Sequence, residues 1–443
     1  MLVMKFGGSS VADQSQIHKV LQIVASRRDR RPLVVCSAHK GITDALVATA
    51  KAAAERVYDP EAVITRQREI ADGLGCPPDL LTGMFDEIRD LVRGISLVKE
   101  LSPRSLDYIS SFGERMSVRC IADYFRRHGL AAEAHDVWDL GFITDSNFGA
   151  ARPTPGFDQR VQQCMADRVD PAVVPVITGF VGKNERGEIT TVGRNGSDLT
   201  ASLLAAALRA TEVQIWTDTD GVMTADPSVV EQAKNIPAMA FDEAAELAYF
   251  GSRVLHPSTL LPAMASNIPV RVLNTNRPNH PGTVIQQQPK AYGDSATPTS
   301  VAYKENQTIV TLSTTRMFAQ AGFLAPVFDV LGRHHVVVDV ISTSEVSVSL
   351  STNTRQALVA ALPELEQLGD VQVHHHKTIL AVVGQSLARQ PGVAARVLQA
   401  VASAGVNVEM ISHATSSPNL TMVIDDRDIR AAVVRLHDEL FCS

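Results

Sequence analysis

The sequence predicts an α/β protein with a mostly parallel sheet between helix layers, followed by two small α+β domains. Three observations carry that expectation. Short apolar strands alternate with amphipathic helices from residue 1 to about 288, and a polar stretch with Pro, Gly and Ser follows at 286–300. Beyond it the chain repeats itself at an offset of 70 residues.

The 443 residues exceed one ordinary core, and 45% hydrophobic content supplies several. A net charge of -7 and no basic run longer than residues 27–31 exclude nucleic acid as a partner. That run falls at a helix end, where cations offset the helix dipole. Cysteines at 36, 76, 120, 164 and 442 show no CxxC spacing, which argues against a zinc or disulfide framework and for a reducing compartment. The chain enters a strand at once with no leader pattern, and no stretch reaches 18 apolar residues, so a cytoplasmic protein without a membrane partner is expected.

Leu2-Val3-Met4 reads as a buried strand, and Ile17, Val20, Leu21 and Val24 share one helix face, so Gly7-Gly8 marks a sharp strand-to-helix turn. Such a turn aims backbone N–H groups and a helix N-terminus at one spot, and Lys5 brings a cation there, as a phosphate cradle requires. A plain turn with a solvated lysine accounts for the same residues equally well. Residues 32–37 (PLVVCS) form a second strand and run into Ala38-His39-Lys40-Gly41-Ile42-Thr43-Asp44 before an alanine-rich helix. Small polar residues at a strand's C-terminal end are where open α/β sheets place ligands.

Residues 60–100 read as helices with loops, and residues 105–128 as one long helix stopped by Gly129. Glu114 on it can simply pair with Arg115 or Arg119 at the surface. A mid-helix glycine costs about 1 kcal/mol relative to alanine, so Gly113 points to a close approach there. Residues 173–178 form a strand ending in a second glycine turn, 179–182. The segment TTVGRNGSD at 190–198 then precedes a helix over 199–210. Arg194 there can fork onto a carboxylate or phosphate, and Asp198 in a first helical turn suits the dipole.

Residues 213–216 are a strand leading into Thr217-Asp218-Thr219-Asp220-Gly221. The aspartates resemble a calcium loop but lack the closing glutamate, which favours a nucleotide-contacting loop. A helix over 241–250 and a last strand over 268–273 complete the large region. In the repeat, Phe328 matches Leu398, Leu331 matches Val401, and 336–342 (VVVDVIS) matches 406–412 (VNVEMIS), each unit reading strand, helix, strand, strand. His374-His375-His376 lies between the units. Neighbouring strand side chains face opposite ways and cannot converge on a metal, so a solvent-facing connector is expected.

Glycine loops with Lys5, Arg194 and Asp198 point to phosphoryl transfer, with neither a GxxxxGK[ST] loop nor a protein-kinase set present. The acceptor stays open at this level. The segments KFGGSSV (5–11), GERMS (113–117), TTVGRNGSDLTA (190–201), IWTDTDGVMTADP (215–227) and FGSRVLHPSTLLPA (250–263) resemble, in order, the aspartate kinases of the amino acid kinase family. The C-terminal repeat resembles the tandem ACT domains of those enzymes. GRNGSD is similar to the kinase half of bifunctional aspartokinase–homoserine dehydrogenases, and with the chain ending at Ser443 no dehydrogenase is expected. The implied architecture is an amino acid kinase fold over 1–288, a linker over 289–305, and ferredoxin-like ACT domains over 306–372 and 373–443, whose last strand can complete the first.

The resemblance implies transfer of phosphate from ATP, with Mg2+ bridging the phosphates, to the β-carboxylate of L-aspartate, the first step toward lysine, threonine and methionine. Lys5 would stabilise the moving phosphoryl group and Asp198 would hold Lys5. Arg194 would grip the α-carboxylate and Glu114 the α-ammonium, with Ser37, Thr43 and Ser197 lining the aspartate pocket. Gly7, Gly8 and Ser9 would cradle phosphate oxygens, and Thr217, Asp218, Met223 and Arg253 would contact the nucleotide. Met223, Ser228 and Arg253 depart from the tyrosine, arginine and lysine usual at these places, and Ser9 from a threonine. No resident metal ligands are expected.

In the first repeat, Met317, Gly322, Phe323, Leu324, Asp339, Ser344 and Glu345 match the lysine-inhibited pattern. Asp339 and Glu345 supply acceptors for an ammonium group, so L-lysine is the expected effector and L-threonine the second choice. The effector would sit at an ACT–ACT interface of a homodimer, with a tetramer as the further option. Two other readings stand beside this one: an amino acid kinase with another acceptor (acetylglutamate, glutamate or uridylate), and a catalytically weak amino-acid sensor.

Overall fold

The computed structural model describes residues 1–251, 257–287, 289, 298–318, 321–415 and 417–442. They divide into two compact units, one of 1–222, 237–241, 257–287 and 289, the other of 223–236, 242–251 and the described residues from 298 to 442.

In the first unit, β1 (Leu2–Phe6), α1 (Gln14–Ala25), β2 (Pro32–Cys36) and α2 (Ile42–Ala54) are followed by three helices, α3 (Glu61–Gly73), α4 (Thr82–Val98) and α5 (Pro103–Arg127). Then come β3 (Ala132–His135), β4 (Ile143–Thr144), α6 (Phe157–Arg168), β5 (Val174–Thr178), β6 (Val181–Asn184), β7 (Ile189–Thr191), α7 (Gly196–Ala207) and β8 (Glu212–Thr217). The unit closes with β9 (Ala238–Ala240), the start of α8 (Phe241–Tyr249), α9 (Pro257–Ala265), β10 (Val270–Asn274) and β11 (Thr283–Gln286). Eight strands form one sheet in the order β3-β5-β2-β1-β8-β10-β11-β9, parallel except between β10 and β11. β4, β6 and β7 form a separate small sheet.

Every residue of β1, β2 and β5 is buried, as continuous apolar runs covered on both faces require. Leu2, Met4 and Phe6 face a core shared with α1, α2 and α5, while α7 packs on the other face of β1. Lys5 therefore points away from the larger core. Trp216 on β8 stacks on Phe6 with ring centroids 5.8 Å apart, worth about 1 kcal/mol beyond its area.

The opening loop is longer than the expected sharp turn. Helix α1 begins only at Gln14, and its cap Asp13 accepts from the Gln16 N–H at 3.0 Å. A carboxylate thus satisfies the helix N-terminus where an anion was expected, because the apolar periodicity that predicts α1 starts only at Ile17. The start of α7 does keep the expected geometry, with Asp198 in its first turn.

The second unit contains β12 (Ser300–Ser313), α10 (Leu324–Arg333), β13 (Ile341–Thr343), β14 (Ser347–Thr352), α11 (Arg355–Leu365) and β15 (Asp370–Val383). It continues through α12 (Ser386–Arg389), α13 (Val393–Ser403), β16 (Met410–Ser412), β17 (Asn419–Asp425) and α14 (Ile429–His437). Its sheet runs β13-β14-β12-β15-β17-β16. The internal repeat is plain: α10 corresponds to α13, β13 to β16 and β14 to β17.

Two long strands join the repeats. The first half of β12 pairs with the last part of β15, beside β17, while its second half pairs with β14 and the start of β15. Val301 accordingly belongs to the core of the second repeat and Val310 to that of the first. Residues 300–305 of the expected linker are therefore strand, and the expected break at 372/373 falls inside β15. The histidine trio lies within β15 as well, exposed, with His375 Nδ1 3.1 Å from Thr308 Oγ1.

Segments 223–236 and 242–251, expected in the kinase region, fold with this unit. Val301 N–H donates to the Thr224 carbonyl at 2.8 Å and Ser300 Oγ to that of Met223 at 2.8 Å. Glu243 on α8 accepts from Thr299 Oγ1 at 2.6 Å and from Gln385 N–H at 3.0 Å.

Candidate active site

The C-terminal ends of β1, β2, β5 and β8 lie side by side in the first unit, and the candidate residues gather there, on β1, on the loops that leave the strands and on helices α5 and α7. Lys5 Nζ lies 2.7 Å from Asp198 Oδ1, with side chains 11% and 13% exposed. An ion pair so enclosed is held by geometry rather than screened away, so α7 fixes where the ammonium sits. The loop after β1 passes directly over it: a Cβ on Gly7 would stand 3.5 Å from Lys5 Nζ, and one on Gly8 3.1 Å from the Ala38 carbonyl oxygen. Gly7 N–H donates to the Trp216 carbonyl at 3.3 Å, and Ser10 Oγ lies 2.7 Å from Thr275 Oγ1, which ties the loop to the ends of β8 and β10. Ser9 is half-buried between these anchors.

Glu114 turns inward. Arg115 and Arg119, its expected surface partners, are instead taken by Asp136, at 3.7 and 3.0 Å. The Glu114 carboxylate accepts from Ala38 N–H at 3.2 Å, and its second oxygen is buried with no partner. Burial pushes its pKa up to about 8, against the pull of the Ala38 N–H and of Lys5. Gly113 makes this approach possible, because a Cβ there would meet Ala38 Cβ at 2.8 Å and Thr43 Oγ1 at 3.0 Å. Thr43 and Ser37 line the same place, and Ser37 N–H donates to the Phe6 carbonyl at 3.1 Å.

Across from them, the second glycine turn packs onto the first turn of α7. Cβ atoms on Gly179 and Gly196 would strike Ser197 Cβ at 2.5 Å and the Phe180 ring at 2.6 Å. Ser197 is buried by this contact, and Arg194 stands exposed on the preceding loop. Thr217 Oγ1 donates to Asp218 Oδ1 at 3.2 Å. Asn274, to which the sequence assigned no role, clamps this loop: its Nδ2 donates to the Asp218 carbonyl at 3.3 Å and to Asp220 Oδ1 at 2.8 Å, and Arg277 pairs with Asp220. The polar run NTN at the end of a predicted strand was the available signal.

Met223 bridges to Asn235 within the second unit, and Arg253 lies outside the described residues. Ser228 donates through N–H and Oγ to Asp226 Oδ1 at 2.8 and 2.6 Å, a local turn bond.

Of the effector candidates, Met317 ends a short 3-10 turn, Gly322 takes φ 81, and Phe323, just before α10, and Leu324, its first residue, pack against the same core as Val338. Ser344 caps the β13–β14 turn through Ser347 Oγ at 2.7 Å, with Glu345 exposed beside it. Asp339, one residue beyond Val338, is paired with Lys304. Among the described residues, His437, Asp438 and Cys442 offer ligand atoms within 4.8 Å of one another in the second unit, and His437 Nε2 bonds Thr224 Oγ1 at 2.9 Å. No helix among the described residues is long and apolar enough to cross a membrane.

A profile of the amino acid kinase family matches residues 1–274, and one of the ACT domain matches residues 380–440. The lysine-sensitive aspartokinase 3 of Escherichia coli K12 is 37% identical over 460 residues, spanning 100% of this chain and 99% of its own. The chloroplastic aspartokinase 2 of Arabidopsis thaliana is 36% identical over 459 residues, spanning 99% of this chain and 84% of that relative. Among solved structures, E. coli aspartokinase III with aspartate and ADP (R-state) matches at TM-score 0.83 and 35% identity over 100% of both chains. The same enzyme with lysine and aspartate (T-state) matches at TM-score 0.76 and 36% identity, over 100% of this chain and 99% of that one. With the family profile over more than half its length and full-length relatives above 30% identity, the chain belongs to the amino acid kinase family, as one of its aspartokinases.

Proposed function

We propose that the chain transfers the γ-phosphoryl group of ATP to the β-carboxylate of L-aspartate, giving 4-phospho-L-aspartate for lysine, threonine and methionine synthesis, and that L-lysine inhibits it through the first ACT repeat of a homodimer. The observation that carries the catalytic part is the buried Glu114 carboxylate with one oxygen unpartnered, set among the same strand-end loops as the Lys5–Asp198 pair. A buried unsatisfied carboxylate is costly, and an incoming ammonium group relieves it.

Glu114 would take the α-ammonium of aspartate, and the Arg194 fork its α-carboxylate, which leaves the β-carboxylate directed at the phosphate loop. The nucleophile is already an anion at neutral pH, so no general base is needed and Asp198 serves to position Lys5. An oxygen of the β-carboxylate forms a bond to the γ-phosphorus as the bond to the β,γ-bridging oxygen breaks and ADP leaves. Lys5 and the N–H groups of Gly8 and Ser9, on the loop that the Gly7 N–H ties to Trp216, meet the charge on the transferring oxygens. Asp198 is committed to Lys5, so Mg2+ would ride on the phosphates rather than in a carboxylate cage; when bound it neutralises their charge. Thr217 and Asp218 would meet the nucleotide on the loop that Asn274 holds. The lysine effector is supported by the acceptors Asp339 and Glu345 and by the lysine-sensitive relative.

A coupled ADP-release assay with aspartate, glutamate or UMP as acceptor tests the reading, with and without lysine or threonine. Turnover with aspartate alone and inhibition by millimolar lysine are expected. Lys5→Ala should lower kcat by about 10³-fold and also lower the melting temperature, because it leaves the enclosed Asp198 carboxylate without its partner; full activity in that variant would refute the role of Lys5.

A further inference from the structure

Asp339 is the acceptor on which the lysine reading rests, and this chain already supplies it with an ammonium. The Asp339 side chain is 1% exposed, and Lys304 Nζ lies 2.6 Å from its Oδ2. Tyr249 Oη donates to the other oxygen, Oδ1, at 2.5 Å. The Lys304 ammonium also stands 5.1 Å from the centre of the Tyr249 ring, so cation, carboxylate and phenol close one cluster. Burial, and then the bond to Asp339, push the Tyr249 hydroxyl well above its ordinary pKa, which keeps it a donor.

The three side chains come from separate stretches of the second unit. Lys304 lies on the half of β12 that serves the second repeat, Asp339 precedes β13 in the first, and Tyr249 is the last residue of α8. Helix α8 is further held by Asn419 to Glu246, and just beyond it Gly251 takes φ 113, where a Cβ would strike the Tyr303 carbonyl oxygen at 2.2 Å. By chain order α8 follows the nucleotide loop at 217–221 through segment 223–236, which folds with the same unit.

On the reading that the first repeat takes a cationic amino acid, we propose that Lys304 is the built-in occupant of the effector's ammonium site: the effector binds by taking Asp339 from Lys304, and the exchange frees Tyr249 and the end of α8. Two ammonium groups on one buried carboxylate would leave an uncompensated buried charge, so the exchange is displacive. Lys304 carries the same primary ammonium that a lysine effector brings. The site therefore favours cationic effectors, because a neutral side chain that expelled Lys304 would leave Asp339 unpaired. The exchange also gives the effector a differential contact between two states, which any coupling to α8 requires.

The test uses full-length wild type, Lys304→Met and Tyr249→Phe in the kinase assay with lysine and threonine titrations, together with calorimetric titration of lysine. With the internal competitor removed, the lysine concentration for half-inhibition should fall about fivefold or more in Lys304→Met, and by a smaller factor in Tyr249→Phe. Basal kcat and both KM values should stay within about twofold. A half-inhibition concentration unchanged or raised in both variants, with only the melting temperature lowered, would show a structural bond and overturn the exchange while leaving the lysine reading intact. A wild type that neither binds lysine nor is inhibited by it would overturn the effector reading and the exchange together, with turnover of aspartate still measuring the kinase assignment.

Discussion

Substituting Glu114 by glutamine probes the aspartate pocket through a proton. Folded, the carboxyl is pushed up to about 8 by burial, against its ordinary 4.5. Between those values the unfolded chain releases a proton that the folded chain keeps. The folded state then binds more protons, so this group costs stability as pH rises through the window, by about 1.4 kcal/mol per pH unit and about 5 kcal/mol across it. Below the window the cost vanishes, because both states are protonated. Glutamine cannot ionise, so the stability of Glu114→Gln relative to wild type should grow by about 4 kcal/mol from pH 5 to pH 8. Both tryptophans, Trp138 and Trp216, lie in the first unit, so urea unfolding followed by their fluorescence reads that unit. Aspartate adds a second readout. Its ammonium favours the ionised carboxylate, so binding at pH 7 should release about one proton, measured by calorimetry in buffers of different ionisation enthalpy, and affinity should rise with pH up to about 8. A stability difference that stays flat with pH, or binding that releases no proton, would refute the buried, protonated Glu114 as the ammonium acceptor.

Other outcomes follow from single contacts. Gly113→Ala should raise the KM for aspartate more than that for ATP and lower stability by about 1–3 kcal/mol, read by steady-state kinetics and thermal melting, since its Cβ has no room against Ala38 and Thr43. Arg194→Lys keeps the charge but loses the two-pronged fork, so the KM for aspartate should rise roughly thirtyfold with that for ATP unchanged.

Much of the site was legible because its parts sit at strand ends that local pattern marks. Lys5, Gly7, Gly113 and Glu114 stand out as a charge or a glycine where propensity would place something else, and in the structure they lie on β1, on the loop after it and in mid-α5, with Asp198 in the first turn of α7 paired to Lys5. The direction Glu114 faces was not legible: Asp136, on the far side of α5 in sequence, removes Arg115 and Arg119 from competition. The start of α1 was misplaced because the capping segment, 8–13, has no helical periodicity of its own. Met223 and the 242–251 segment read as kinase sequence, and the motif spacing carries no mark of the unit that claims them.

By itself, the sequence determined the alternation of buried strands and amphipathic helices, the two glycine loops with their charges, and the repeat that makes two similar small modules. These are local properties of periodicity and backbone freedom, set by residues close in the chain. The tertiary structure alone decided other pairings across long separations: Asn274 with the loop at 217–221, β12 and β15 shared between the repeats, and Asp339 with Lys304 and Tyr249. The physical reason is that a buried charge needs a partner of opposite sign or a hydrogen bond, and which partner reaches it depends on how the sheets and helices stack rather than on the residues beside it in the chain.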